Sequence, residues 1–252
     1  MTRAARIFAA CFSLVSALAL TIAVTTPARD SRPLPAKPAR LLPAPVDSAR
    51  SLSPQKGKFR DMVNGKEVGS EEFEISSDGG GWLARGSASV RSAQGPETHI
   101  TSQLQLRADG APAHYEWTTV TGSKTAGASV DFDNGTATIH VQVNGGTPYT
   151  QQFFFKTPVI AILDDNLYHQ YAILADLYDW SKKGPQTFSV LIPQEMTPGT
   201  ITVEALDPEN SNGKSLDRLR VRSQDLEIIL YLDGNRLERV SVPSSNAEIV
   251  RQ

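Results

Sequence analysis

The 252-residue chain contains one cysteine, Cys11, and it lies inside an apolar run near the start. Everything after residue 55 is free of thiols, which excludes disulfides, thiolate metal sites and a cysteine nucleophile there. Positive charge is scarce in the same region. Residues 1–55 carry seven Lys/Arg and two Asp/Glu, a net of +5, so the overall charge of −2 leaves −7 for the remainder. A net-acidic region without a basic cluster excludes nucleic acid as an expected partner, because a phosphate backbone demands cations. Catalytic signatures are missing too: no Gly-x-Ser-x-Gly elbow, no His-Glu-x-x-His, no phosphate loop, no dinucleotide fingerprint. The sequence therefore predicts no cofactor and no metal, and favours a non-enzymatic role.

What is present begins with a targeting segment. Arg3 and Arg6 precede Ile7–Val24, 18 residues without a charge. As a helix this run would span about 27 Å, against a hydrocarbon core of roughly 30 Å. No small-x-small cleavage site stands at Thr25, Thr26, Pro27 and Ala28. Residues 1–24 are expected to form a hydrophobic helix, either a removed signal peptide or an uncleaved anchor touching the inner membrane through residues 7–24. Both uses place the C-terminal domain outside the cytoplasm, periplasmic or extracytoplasmic, secreted or tethered. Cys11 sits within the run and not at its end, so it is a poor lipid-attachment site. Residues 25–55 then hold seven prolines among Ala, Ser and Arg, the composition of an extended spacer.

From residue 56 to 252 the chain reads as one antiparallel β domain. Seven Asn-Gly or Asp-Gly pairs punctuate it, at 64–65, 78–79, 109–110, 134–135, 144–145, 212–213 and 233–234. Such pairs favour the positive φ of tight hairpin turns. Between them the hydrophobic period is two. Ile100, Ser102, Leu104 and Leu106 alternate with polar neighbours, as do Ala137, Ile139 and Val141, and Leu226, Ile228, Leu230 and Leu232. About a dozen strands are readable in a meander, barrel or sandwich, and no βαβ rhythm supports a doubly wound core. The expected class is mainly β: a curved antiparallel sheet or incomplete barrel with one central helix over about 164–180.

That helix is the place to look for function. Asp164 can cap it, and Leu167, Tyr171, Leu174 and Tyr178 form one stripe with Trp180 beside it. Together with Leu104 and Leu230 on strands, these residues are candidates to line an apolar ligand cavity, against the plainer reading that they fill a solid core. Asp165 and His169 are the polar candidates, since one helical turn would bring carboxylate and imidazole together. His140 and His99 alternate onto polar faces, and His114 opens a strand bearing Tyr115 and Trp117. Asp131 with Asp133, and Asp207 with Glu209, could hold calcium weakly through oxygens, though neither pair matches a calcium loop and solvated turns explain both. Trp82, Tyr115 and Trp117 could form a sugar platform, with core packing the plainer account.

Several short motifs carry a family resemblance. Asn64-Gly65-Lys66-Glu67-Val68-Gly69 opens the domain, Asp165-Asn166-Leu167-Tyr168-His169 marks its middle, and Val190-Leu191-Ile192-Pro193-Gln194 comes next. Leu232-Asp233-Gly234-Asn235-Arg236-Leu237 then leads to Val242-Pro243 and Arg251. The chain resembles the uncharacterised exported β families of the DUF3108 or DUF6134 kind. That resemblance implies a half-barrel like those of the LolA, LolB and LppX carriers, wrapped on a helix around an apolar groove, and it implies no catalytic residue. The leading expectation is a cell-envelope binding module for a hydrophobic small molecule or lipid. The alternatives are a structural or assembly protein acting through its β surface, and a hydrolase with a site near Asp165 and His169.

Overall fold

The computed structural model describes residues 52–92, 95–143, 146–211, 213–224 and 226–252. The expected N-terminal helix, most of the proline spacer and the 144–145 turn lie outside them. At the described turn pairs the left-handed backbone is where the sequence asks for it: Asn64 and Gly65 at φ 51° and 74°, Asn134 and Gly135 at 42° and 86°. These conformations favour the hairpin twist and suit Asn and Gly.

Among the described residues fifteen strands result. They are β1 (Gln55–Val63), β2 (Lys66–Asp78), β3 (Gly81–Val90), β4 (Thr98–Leu106) and β5 (Pro112–Thr121). Next come β6 (Lys124–Asp133), β7 (Thr136–Val143), β8 (Tyr149–Phe154) and β9 (Ile160–Ile162). After the helix α1 (His169–Leu177) come β10 (Gln186–Ile192), β11 (Thr197–Ser211), β12 (Lys214–Arg222), β13 (Glu227–Asp233), β14 (Arg236–Val242) and β15 (Ala247–Arg251). All join one open sheet. From β1 to β8 it is a simple meander; β1 also pairs with β15, and the sheet runs back from there through β14 to β9. Every pairing is antiparallel except β9 with β10, which flank α1 as a single parallel crossover. Three residues are too few to show a period, which is why β9 and its crossover are invisible in the sequence.

Leu52 is buried and Ser53 N–H donates to Asp176 Oδ2 at 2.7 Å, so ordered packing starts before residue 56. The 206–209 stretch, read as a loop, is part of β11, with a register shift between Leu206 and Glu209. Pro208 lacks an N–H to give a ladder, and a bulge is where a strand tolerates it.

The sheet curls around α1. Ile160, Ala161 and Ile162 of β9 are all buried, and Ile160 and Ile162 approach Leu104 and Leu106 on the inner face of β4. At the other edge, Tyr149 O–H on β8 donates to Met196 Sδ at 2.8 Å, just before β11 begins. A helix so enclosed hides most of its surface: seven of the nine residues of α1 are buried, the polar His169 and Gln170 among them. Burying each Leu or Ile of this kind contributes roughly 1.5–3 kcal/mol.

The helix is shorter than its apolar stripe suggests. Asn166 takes φ 63°, which breaks helical geometry, and α1 starts only at His169. Its start is not capped by Asp164. Instead Glu71 of β2, fully buried, accepts the backbone N–H groups of Tyr168 at 2.8 Å and His169 at 3.1 Å on Oε2. The His169 ring places Nδ1 2.5 Å from Glu71 Oε1. A carboxylate at a helix N-terminus satisfies orphan donors and opposes the positive end of the dipole. Phe73 stacks on the His169 ring at 5.9 Å between centroids, and Phe59 stacks on Phe73 at 5.0 Å.

Gly86 on β3 leaves the space for this pair. A Cβ there would lie 2.5 Å from His169 Cε1 and 2.9 Å from Glu71 Oε1. We expect Gly86→Ala to lower unfolding free energy by about 2 kcal/mol, the usual scale of overpacking. Urea denaturation measures it, and a change within about 0.5 kcal/mol would show that the helix start is not held by this contact.

Candidate functional site

Much of the interior is one continuous cluster of buried apolar side chains. The gap between α1 and β4 is about 10 Å³, too small for more than one water. The hollow lies on the other side. A cavity of about 200 Å³ is walled by the inner faces of β10, β11, β12 and β13 and by the turn leading into α1. Val190, Ile201, Val221 and Ile228 supply apolar wall, and Gly199 leaves one stretch of β11 without a side chain. Asp164, Asp165, Tyr168 and Tyr171 border it from the helix side. Among the described residues no Lys, Arg or His lines it.

The turn owes its shape to Asp164, which is buried. Tyr115 O–H donates to Asp164 Oδ2 at 2.6 Å and Gln194 N–H to Oδ1 at 2.8 Å. Gln170 closes the ring: its Oε1 accepts Asp164 N–H at 2.6 Å and its amide donates to Tyr115 Oη at 3.2 Å. Strand β5 and the turn after β10 thus meet at the Asp164 carboxyl group, and the helix joins them through the Asp164 backbone N–H and the Tyr115 hydroxyl. Burial pushes its pKa up to about 7.

Asp165 differs. No protein group donates a hydrogen bond to its carboxyl among the described residues. Burial, then the neighbouring Glu195 and Asp164 charges, push it up to about 8. It does not meet His169, because Asn166 turns the chain before the helix begins; the partner of His169 is Glu71. His169 is fully buried and does not border the cavity, and its Nε2 has no hydrogen-bond partner among the described residues.

Of the other candidates, Tyr171 borders the cavity. Leu167 packs with Ala88 and Ile100 in a small separate cluster. Leu104, Leu174, Tyr178 and Leu230 lie in the main core. The Tyr178 hydroxyl donates to Gly184 O at 2.8 Å and accepts from Ala205 N–H at 3.1 Å. Trp180 meets Tyr178 edge-on and is 37% exposed. Tyr115 is buried, and Trp82 and Trp117 pack against the core. His114 and His140 flank Asp131 on the outer face at 2.8 and 3.6 Å, and Arg218 and Arg239 clasp Glu209 at 3.0 and 2.9 Å. Among the described residues no three His, Asp or Glu side chains gather as metal ligands.

Two buried acids escape a search for motifs. Glu71 and Asp61 both fall on the inward phase of their strands, Glu71 between Gly69 and Phe73, Asp61 after Phe59. An acid in the apolar phase was the available signal. Neither carboxyl oxygen of Asp61 has a hydrogen-bond partner among the described residues.

No protein-family model matches the chain, and no curated protein does. Solved structures do. A β-barrel-like protein of the domain of unknown function DUF1849 from Brucella abortus aligns over 80% of this chain and 96% of its own, with TM-score 0.55 and 10% identity. The chain shares that β-barrel-like fold. A duf1089 family protein from Pseudomonas aeruginosa aligns over 69% and 90%, with TM-score 0.45 and 10% identity. At such identity the likeness concerns fold alone.

The buried acids set a pH dependence. Burial, then Glu71 and Glu67, push Asp61 up to about 7, and Asp164 and Asp165 stand near 7 and 8. In the unfolded chain each ionises near 4. Between those values the native state holds more protons, so stability falls as pH rises from about 4 to 8. Asp61→Asn should remove part of that slope, gaining on the order of 1 kcal/mol at pH 8 relative to pH 5. Thermal melts at both pH values test it; an unchanged difference between wild type and variant would contradict the assignment.

Proposed function

We propose that the β domain is a non-enzymatic binding module for a small hydrophobic or lipid-like ligand, seated in the cavity of about 200 Å³ between β10–β13 and the turn before α1. The cavity carries the reading. An apolar void of about 150 Å³ is enough to bind benzene, so a volume of this size has a natural occupant. Walls of strand residues with a few polar groups at one end are the usual form of a small-molecule site. The resemblance to exported families of the DUF3108 or DUF6134 kind, and to the half-barrels of LolA, LolB and LppX, points the same way. So do the apolar segment Ile7–Val24 and the thiol-free domain, which fit a cell-envelope location.

Gly199→Leu tests the site directly. A Cβ at Gly199 would make ordinary contact with Val190 Cγ1 at 3.5 Å, so the new side chain can enter the cavity without backbone strain. Wild type should enhance the fluorescence of the apolar dye N-phenyl-1-naphthylamine with micromolar affinity, and the variant should bind it at least tenfold more weakly with an unchanged melting temperature. Absence of dye binding by wild type would sink the reading.

A second reading, assembly through the β surface, is favoured by β8. This strand, Tyr-Thr-Gln-Gln-Phe-Phe, carries no charge, ends the sheet at an edge unpaired among the described residues, and exposes Phe154 at 78%. On this reading the purified protein self-associates in sedimentation velocity and Phe154→Lys returns it to monomer; a wild-type monomer at high concentration would count against it.

A further inference from the structure

We infer that the ligand of this cavity is an amphipathic cation: a short apolar body carrying an N–H-bearing ammonium head that docks on Asp165. The inference rests on the cavity reading above and narrows its chemistry.

Three observations carry it. First, the cavity is one-sided in charge. Among the described residues its only ionisable carboxyl groups are Asp164 and Asp165, and no cation lines the walls to balance them. Second, the two acids are not equivalent. Asp164 already accepts the Tyr115 hydroxyl and the Gln194 N–H, one on each oxygen, and serves the fold. Asp165 accepts nothing on its carboxyl from the protein among the described residues, yet sits at the cavity border beside a further carboxyl, Glu195. Third, the surroundings suit a positive head. Tyr168 and Tyr171 border the same end, and tyrosine rings attract cations through their quadrupole.

The physics separates ligand classes. A carboxylate head, as in a fatty acid, would add another negative charge to a low-dielectric end that already holds two acids and a third nearby. A neutral alcohol would gain only the apolar term. An ammonium would donate to the vacant oxygens of Asp165 and offset the repulsion from Asp164 and Glu195 in one step. The apolar walls then set the size of the body and the acid sets the sign of the head.

The test is isothermal titration of the purified full chain at pH 9, where Asp165 and Asp164, raised to about 8 and about 7, are ionised and the amine keeps its charge, with three probes of equal chain length: octylamine, octan-1-ol and octanoate. We expect octylamine to bind at least tenfold tighter than octanol, and octanoate to bind weakest. Asp165→Asn should bring octylamine to the affinity of octanol and leave octanol unchanged, with folding checked by thermal melt. Gly199→Leu should abolish octylamine binding. If that variant still binds octylamine, the amine sits on surface acids and the inference is overturned. Octanol or octanoate binding as tightly as octylamine would overturn the charge assignment while leaving an apolar site intact. Binding of none of the three would overturn both readings.

Discussion

The fold depends on one carboxyl group placed where solvent cannot reach it. Glu71 leaves β2 on the phase reserved for apolar side chains and meets the first backbone N–H groups of the helix. Removing it would strand two donors and an imidazole in the interior, and a buried donor without a partner is costly. Because the helix is buried on most of its sides, hydrophobic packing alone does little to fix its rotation about its own axis. The Glu71 contacts fix it, and with it the position of the turn that borders the cavity. Gly86, Phe73 and Phe59 are the space and the stacking that this contact requires.

A second polar node, around Asp164, does for the turn what Glu71 does for the helix. Its partners come from β5, from α1 and from the turn after β10. The two nodes are separated by a few residues of chain, and the left-handed Asn166 lies between them. Asp165 is held at the cavity border by this arrangement, and among the described residues nothing donates a hydrogen bond to its carboxyl group. Structure and candidate chemistry therefore meet in a single dipeptide, one acid serving the fold and its neighbour facing the hollow.

The broad architecture was legible because its signals are local. Alternation in Ile100–Leu106 and Ala137–Val141 reports an inward and an outward face, and the inward set is buried as that pattern requires. The Asn-Gly and Asp-Gly pairs mark turns by the backbone they favour. The helix is visible in its apolar stripe, but it begins at His169 and not at Asp164. Asp164 looks like a cap from sequence, whereas Glu71, nearly a hundred residues away, is the group that acts at the helix start. The cavity was not legible. It arises where Gly199 meets Val190 across two strands and β13 curves past, and no single segment records that coincidence. Residues proposed as lining because they share a helical stripe, such as Leu174 and Tyr178, face different neighbours once the sheet wraps the helix on all sides.

The seam between β1 and β15 has a kinetic meaning. Phe59 pairs with Arg251 and Val63 with Ala247, so the middle of the sheet joins segments separated by most of the domain. Hairpins from β1 to β8 can form as soon as they are made, but the two half-sheets share no edge until β15 arrives. Loop closure over such a distance is slow, and topologies rich in distant contacts fold late. A ribosome still synthesising β14 would therefore hold a meander with an open flank along β1, the stage at which a chaperone has the most exposed backbone to shield.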